Sequence, residues 1–519
     1  MLYFDKNLLR DKDQASLINK GLRGIEKESL RVSFNGELSM KPHPSLLGSA
    51  LSNPYITTDY SEALLEFVTP AYNTNSEVIQ FLSDMHAFFY SVCDEELLWP
   101  QSMPCDISNI PSLPIANYGT SNLGLMKSIY RHGLGHRYGK AMQLISGVHF
   151  NYSLPLDFWP IYRENKKSKD RLRDFISIQY MSLMRNFSRI SWIFIYLFGA
   201  SPIMPKSYNK KSNTYLKELD SSSLYGEFST SLRMSDIGYS NKGQSEIDIS
   251  INSLDSYIED LSKAIKTPNH EYSKIGLKHN DQYKQLNINN LQIENEYYSF
   301  VRPKAIAIND KPLLVNLRKE GVGFVEIRTA DINMMEPIGV NQHQLRFTEA
   351  ALLYCLFSNS KPISSSEKKE INERNLLVSQ KGRFPSLELI INNKKESLKN
   401  AGLSMLDQIL DIGKCIDSSS ENDDYADSIN LYKKSFYDSR ETPSAKILEE
   451  ISKAKMNFLD FTLYLSQQHS KYFKNISLEK EKFIFFKKEA EKSILASEKL
   501  EKSQTLSFND YLEKYYKEI

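Results

Sequence analysis

Only four cysteines occur in the 519 residues, Cys93, Cys105, Cys355 and Cys415, and no two form a CxxC pair. That spacing excludes a zinc ribbon or a thioredoxin-type redox motif and points to reduced thiols in a cytoplasmic protein. Cys105 follows Ser-Met-Pro ahead of a polar loop. It has no partner close in sequence and is set aside as a regulatory thiol. Long apolar runs are missing as well. The longest, 193–200, falls far short of the roughly twenty residues of a spanning helix, so no membrane segment is expected. The first twenty residues alternate charged and apolar side chains without an h-region, so no secretory signal is expected. Charge of one sign is absent: Lys+Arg 65 against Asp+Glu 64 gives a formal net charge of +1. This excludes a nucleic-acid protein built on a broad basic surface, although it leaves room for a local basic pocket. No GxxxxGK[ST], Rossmann GxGxxG, HExxH or GxSxG motif is present. P-loop, dinucleotide-binding, zincin and α/β-hydrolase chemistry are thereby excluded.

What is present is the composition of an ordinary globular protein, 41% hydrophobic and 25% charged. Residues 20–350 mix strand-like and helix-like segments with aromatic, Gly and Pro punctuation. From about 360 onward the chain is Lys/Glu/Ser-rich with helical periodicity, interrupted by an acidic, Ser-rich stretch at 417–428 that reads as a linker. Asn35-Gly36 between residues 30–34 and 37–40 predicts a β-hairpin. Val78, Leu82, Met85 and Phe89 recur at helical spacing. Further helices are predicted from Phe175 to about Gly199 and over 345–357. Strands are predicted over 146–154, 291–301 and 321–329. Strands and helices interspersed without a βαβ rhythm give an α+β fold with a largely antiparallel sheet.

Several of these strands carry charge where a packed sheet face would want Val or Ile. In GIEKESLRV (24–32), Glu26 and Glu28 point to one side about 6.5–7 Å apart. Asp59 and Glu66 flank an apolar segment in TTDYSEALLEFVTP. His149 lies opposite Val148, Phe150 and Tyr152, and Glu326 and Arg328 share a face in GFVEIR. Taken singly, each is a solvated strand face. Together they describe one charged concave face. Six hard-cation ligands, Glu26, Glu28, Asp59, Glu66, His149 and Glu326, would sit beside Arg328, a bidentate phosphate contact. Magnesium-type ligands next to an arginine are what phosphoryl transfer uses.

At GIEKESLRV, TTDYSEALLEFVTP, YGTSNLG, ISGVHFNYSLP, TSLRMSDIGY, LQIENEYY and VEIRTADIN the sequence resembles the proteobacterial-type glutamate–cysteine ligases, relatives of the glutamine synthetase-like carboxylate–amine ligases. The likeness runs from about residue 20 to 350 and is weaker in the last third. It implies a glutamine synthetase-like α+β fold backed by helices, with a catalytic domain over 1–360 and a helical region over 361–519 packed on it. It also implies ATP- and Mg²⁺-dependent joining of the γ-carboxylate of glutamate to the amine of cysteine through a γ-glutamyl phosphate, with two or three Mg²⁺ ions. This is the first step of glutathione synthesis. The same six acidic and histidine positions match the family's metal ligands, and Glu326 and Arg328 match catalytic positions. Arg233 matches a residue that holds glutamate, while Tyr130, Leu134, Gln143, Tyr239 and Tyr298 match positions around the cysteine. Arg302 and Lys304 in VRPK are candidate ATP-phosphate contacts. Asp59 is followed by Tyr60 where the family often has phenylalanine, which adds a hydroxyl near the pocket wall. The partners implied are glutamate, cysteine and ATP, without nucleic acid or membrane, for a monomer. Two other readings stay open: a ligase of the same superfamily with a different amine acceptor, and a protein whose carboxylates are merely structural.

Overall fold

The computed structural model describes residues 17–208, 215–238, 247–306, 311–418, 422–476 and 478–519. At its centre lies a seven-stranded sheet. Its strands are β1 (Leu22–Val32), β2 (Ile56–Thr58), β3 (Leu64–Val68), β4 (Leu97–Leu98), β5 (Val148–Ser153), β6 (Val301–Lys304) and β7 (Phe324–Ala330). Their order is β6-β7-β5-β1-β3-β2, with β4 paired to the end of β1. Every pairing is antiparallel. The registers align Ile25, Phe150, Ile327 and Val301 in one row across four strands. Because successive side chains alternate between faces, this apolar row fixes one face as core and leaves the other to the polar residues between.

Helices cover the apolar face. Helix α1 (Asn75–Val92) is capped by Thr74, whose side chain accepts from the Glu77 amide, and it buries Val78, Leu82, Met85, Phe88 and Phe89. Helix α2 (Asn122–Tyr138), capped by Ser121, is not part of this layer and lies beside the polar site, where its Arg131 meets Asp59. Helix α3 (Leu172–Phe198) packs on β6, β7 and helix α4 (Gln342–Phe357). Further helices include α5 (Ser365–Lys381), which packs on α3, α6 (Leu398–Ser418), α7 (Asp424–Tyr437) and α8 (Phe458–Asn475), and most of α4 is buried beneath α6, α7 and α3. Both α6 and α7 pack on α4, and α8 packs on α1. In the amphipathic segment at the start of α8, Phe458 and Phe461 are buried.

Two buried polar assemblies run from β1 into this helical layer. The Arg23 guanidinium pairs with Glu349 of α4, whose carboxylate also accepts from Tyr425 of α7 at 2.6 Å. Lys27 Nζ lies 2.9 Å from His86 Nε2 on α1. Burial lowers the Lys27 ammonium to about 7.

One expectation holds in shortened form and two meet corrections. The Asn35-Gly36 hairpin forms, with Gly36 at φ +79, but it is short: its arms share the bridge Val32↔Leu38 and two main-chain bonds, from the Ser33 N–H to the Glu37 carbonyl (2.8 Å) and from the Ser39 N–H to the Arg31 carbonyl (2.9 Å). Residues 31 and 32 pair in addition with Leu98 and Leu97. The Arg31 guanidinium also holds the carbonyls of Lys41 and Pro42, which draws the second arm aside. The strand predicted over 291–301 is a 3-10 turn (Glu294–Glu296) leading to β6. Its two acids are consumed structurally. Glu296 accepts from the Gln292 amide (2.6 Å) and pairs with Arg137 (2.9 Å), and Glu294 accepts from the Leu313 amide (2.6 Å) and Tyr515 (2.9 Å). Finally, the acidic stretch at 417–428 is no open linker over its described residues. Asp417 is buried and accepts from the amides of Tyr425 and Ala426, which ties the end of α6 to the start of α7.

Candidate active site

The polar face of the sheet gathers the expected residues. Glu28 stands opposite Glu66 on β3, and Glu26 stands opposite His149 on β5. Glu326 on β7 faces Asn151 on β5 and Arg302 on β6. His149 Nδ1 is 3.1 Å from Glu26 Oε2 and 4.0 Å from Glu326 Oε1, and its Nε2 is 3.9 Å from Glu28 Oε1. Asp59 sits just past the end of β2. Its side chain is 43% exposed, so this edge opens to solvent.

The electrostatics are those of a site built for added positive charge. Burial and the neighbouring Asp59 push the Glu28 carboxyl up to about 8. Burial together with Glu26, Asp59 and Glu28 holds Glu66 well above the carboxylate range. Burial and Arg328 depress the His149 imidazole, which leaves it neutral with a lone pair to offer. Burial also opposes ionisation of Glu326, but Lys304 and Arg328 outweigh it and hold this carboxyl well below its usual value. For Glu26, burial and Glu326 act against ionisation, and the hydrogen bond with His149 and the charge of Lys304 overcome them. One donor atom from each of Glu26, His149 and Glu326 can be chosen so that all lie within 4.8 Å of one another. Carboxylate oxygens with one imidazole, crowded until some must hold protons, fit a hard divalent cation.

The basic residues border this cluster. Arg328 pairs with Glu326, and Lys304 Nζ is 2.6 Å from the other Glu326 oxygen. Arg302 lies on the same face, but its guanidinium turns toward the carbonyls of Asn295 (3.2 Å) and Tyr297 (2.8 Å). Arg233 is buried, donates to the Arg328 carbonyl at 2.9 Å and lies 3.6 Å from Asp331. The Tyr298 hydroxyl meets Met234 Sδ at 3.4 Å, and its electrostatic neighbours include Arg233, Arg328 and Glu28. Tyr130 and Leu134 project from α2, and Gln143 sits in the following 3-10 turn (Met142–Leu144). Tyr239 lies outside the described residues. Tyr60 is buried, and its hydroxyl lies where a Cβ on Gly135 of α2 would come within 2.4 Å. Cys105 is fully buried, and burial raises its thiol to about 12, which removes it as a reactive group.

Three contributors escaped the sequence reading. Asn151 donates to Glu26 Oε1 at 2.9 Å, and strand alternation from His149 would have found it. The Gly147 amide donates to Glu28 at 2.7 Å, a main-chain role without a sequence signal. Arg131 of α2 donates through Nε to the Asp59 carbonyl and lies 3.8 Å from the Asp59 carboxylate.

Comparison with known proteins agrees with this geometry. The family model described as glutamate-cysteine ligase matches residues 7–378. The glutamate–cysteine ligase of Pseudomonas fluorescens is 39% identical over 512 residues, covering 99% of this chain and 96% of the relative. That of Alcanivorax borkumensis is 42% identical over 471 residues, covering 90% of each. Among solved structures, the glutamate–cysteine ligase of Francisella tularensis in complex with AMP superposes with a TM-score of 0.91 at 35% identity. It covers 96% of this chain and 98% of that one. A bifunctional glutathione synthetase from Pasteurella multocida shares the fold at TM-score 0.70 and 24% identity, over 89% of this chain and 54% of that one. With a family model across most of its length and relatives matched nearly end to end, the chain belongs to the glutamate–cysteine ligase family.

Proposed function

We propose that the protein joins the γ-carboxylate of glutamate to the amine of cysteine at the expense of ATP, giving γ-glutamylcysteine, ADP and phosphate. The product is the first intermediate of glutathione synthesis. The observation that carries this reading is the convergence of Glu26, Glu28, Glu66, His149, Glu326 and Arg328 on one sheet face, with Asp59 at its edge, in a chain of this family. At neutral pH a carboxylate and an ammonium form a salt rather than an amide, so the carboxylate must first be activated as an acyl phosphate.

Glu26, Glu28, Asp59, Glu66, His149 and Glu326 would hold two or three Mg²⁺ ions. When bound, these ions would neutralise the ATP phosphates and the substrate carboxylate, so that the two anions can approach. Arg328 supplies donors for charge developing on the transferred phosphoryl group. Lys304, beside Glu326 and partly exposed, would meet the nucleotide phosphates, and Arg302, held by the Asn295 and Tyr297 carbonyls, would add positive charge behind it. Arg233 would orient glutamate, and Tyr130, Leu134, Gln143 and Tyr298 would frame the cysteine, a role that Tyr239 shares by its motif alone. The first 360 residues form the catalytic unit, and 361–519 buttress its helical layer. None of the four cysteines forms a disulfide, which supports a reducing compartment, and no described helix is long and apolar enough to cross a membrane. We place the enzyme in the cytoplasm as a monomer.

A coupled ADP-release assay with glutamate, Mg²⁺ and a panel of amines tests the reading. Turnover should require Mg²⁺ and favour cysteine, and equal rates with other amines would overturn the acceptor assignment.

A further inference from the structure

Helix α2 touches the acidic edge of the site through one stripe of side chains and would face the acceptor through the next. Residues 127, 131 and 135 recur four apart on one side of the helix. Arg131 reaches the Asp59 main chain through Nε and holds the Lys127 carbonyl through Nη1 at 3.0 Å. It also presents Nη2 to the Asp59 carboxylate at 3.8 Å. One turn on, Gly135 receives the buried Tyr60 ring, because any side chain there would meet the Tyr60 hydroxyl. Tyr118 completes the clamp from below. Its ring lies 4.5 Å under the Arg131 guanidinium, and its hydroxyl donates to the carbonyls of Thr58 (2.6 Å) and Asp59 (3.0 Å). Tyr130 and Leu134, each one residue before this stripe, lie about 100° around the helix. A guanidinium that holds the Asp59 main chain while facing its carboxylate therefore also fixes the helix that bears the proposed acceptor residues.

We infer that Arg131 links cation capture at Asp59 to occupation of the acceptor pocket on α2, acting as a positioning residue; this rests on the ligase reading above. A cation drawing on the Asp59 carboxylate competes with Nη2, while Nε and the Tyr118 ring keep the guanidinium in place. Asp59 and α2 then move as one body. A ligand that holds α2 favours the cation-ready position of Asp59, and by linkage the cation favours that ligand equally. Lysine at 131 would keep the charge but lose the fork that grips carbonyl and carboxylate together.

The test is Mg²⁺ binding by titration calorimetry without nucleotide, so that nothing turns over, with and without saturating cysteine. In the native enzyme cysteine should tighten Mg²⁺ binding about tenfold, within the usual range for linked sites. In Arg131→Lys the effect should fall below about twofold, while Mg²⁺ affinity without cysteine changes by less than about threefold. Full linkage retained in the variant, no linkage in the native enzyme, or loss of Mg²⁺ binding by the variant alone would each overturn the inference. Should Arg131→Lys fail to give a cooperative melt, Tyr118→Phe decides. It should cut the linkage about threefold, and an unchanged linkage counts against the clamp. A native enzyme that releases ADP with glutamate and cysteine yet shows no linkage sinks only this inference. One that neither binds cysteine nor turns over sinks the ligase reading itself.

Discussion

Replacing Arg328 with lysine keeps a cation on the polar face but removes the planar fork, and the structure separates the two consequences. The guanidinium holds Glu326 while the side chain stays 18% exposed on the polar face. A lysine ammonium cannot grip that carboxylate and also present fixed donors to phosphoryl oxygens. Damage to the fold should be modest. The main chain at 328 is held by its N–H to the Phe300 carbonyl (3.0 Å) and by its carbonyl accepting from Arg233 (2.9 Å). Glu326 also keeps Lys304 at 2.6 Å. Losing one charge-assisted hydrogen bond should cost about 1–2 kcal/mol of stability. The kinetic cost should be larger, because an arginine at a transferring phosphoryl group can be worth roughly 10³–10⁵ in rate. With part of the charge retained, kcat should fall about 10²–10³-fold, or about 3–4 kcal/mol of activation free energy. KM for ATP and glutamate should move less than about threefold. A coupled ADP-release assay at saturating Mg²⁺, paired with a urea titration, reads both effects. A kcat loss under about tenfold, or a rise in KM with kcat intact, would refute the assignment, since either means the contact is as strong in the ground state as in the transition state.

Other substitutions probe different parts of the molecule. Glu66→Gln removes one of the mutually repelling acids, so it should raise the melting temperature of metal-free protein while weakening Mg²⁺ binding by about tenfold or more; lower stability without metal would show that Glu66 serves the fold rather than a cation. Glu349→Gln strands the buried Arg23 and should cost about 3–5 kcal/mol by urea unfolding, whereas a loss below about 1 kcal/mol would mean that the pair does not hold α4 to the sheet. Burial and the charge of Lys27 lower His469 from 6.5 to about 4, so between those values the unfolded chain binds more protons than the folded one. This histidine's contribution is therefore intact above pH 6.5 and is lost as pH falls toward 4, at most about 3 kcal/mol. His469→Gln should flatten that part of the stability–pH curve relative to the native protein, and parallel curves would show that His469 does not titrate across folding.

Sequence alone determined which residues could gather into one charged face, because acids and an arginine stand in strand patterns where a packed face would want apolar side chains. Glu26, Glu28, His149, Glu326 and Arg328 needed only the two-residue period of a strand to be assigned a common face. Helices α1, α3 and α4 were legible in the same way, from apolar spacing that any core demands. What local pattern could not decide was which partner each polar group would meet. Glu294 and Glu296 read as further acids on a strand, yet Arg137, Tyr515 and two main-chain amides consume them in a turn. Asp417 read as part of a solvated linker, yet it caps the next helix from the buried side. Arg131 offered no signal, since its role depends on α2 lying across the end of β2, a relation between segments some seventy residues apart. Side-chain period is a property of the backbone and can be read locally. The partner of a buried charge is set by long-range packing, and only the tertiary structure supplies it.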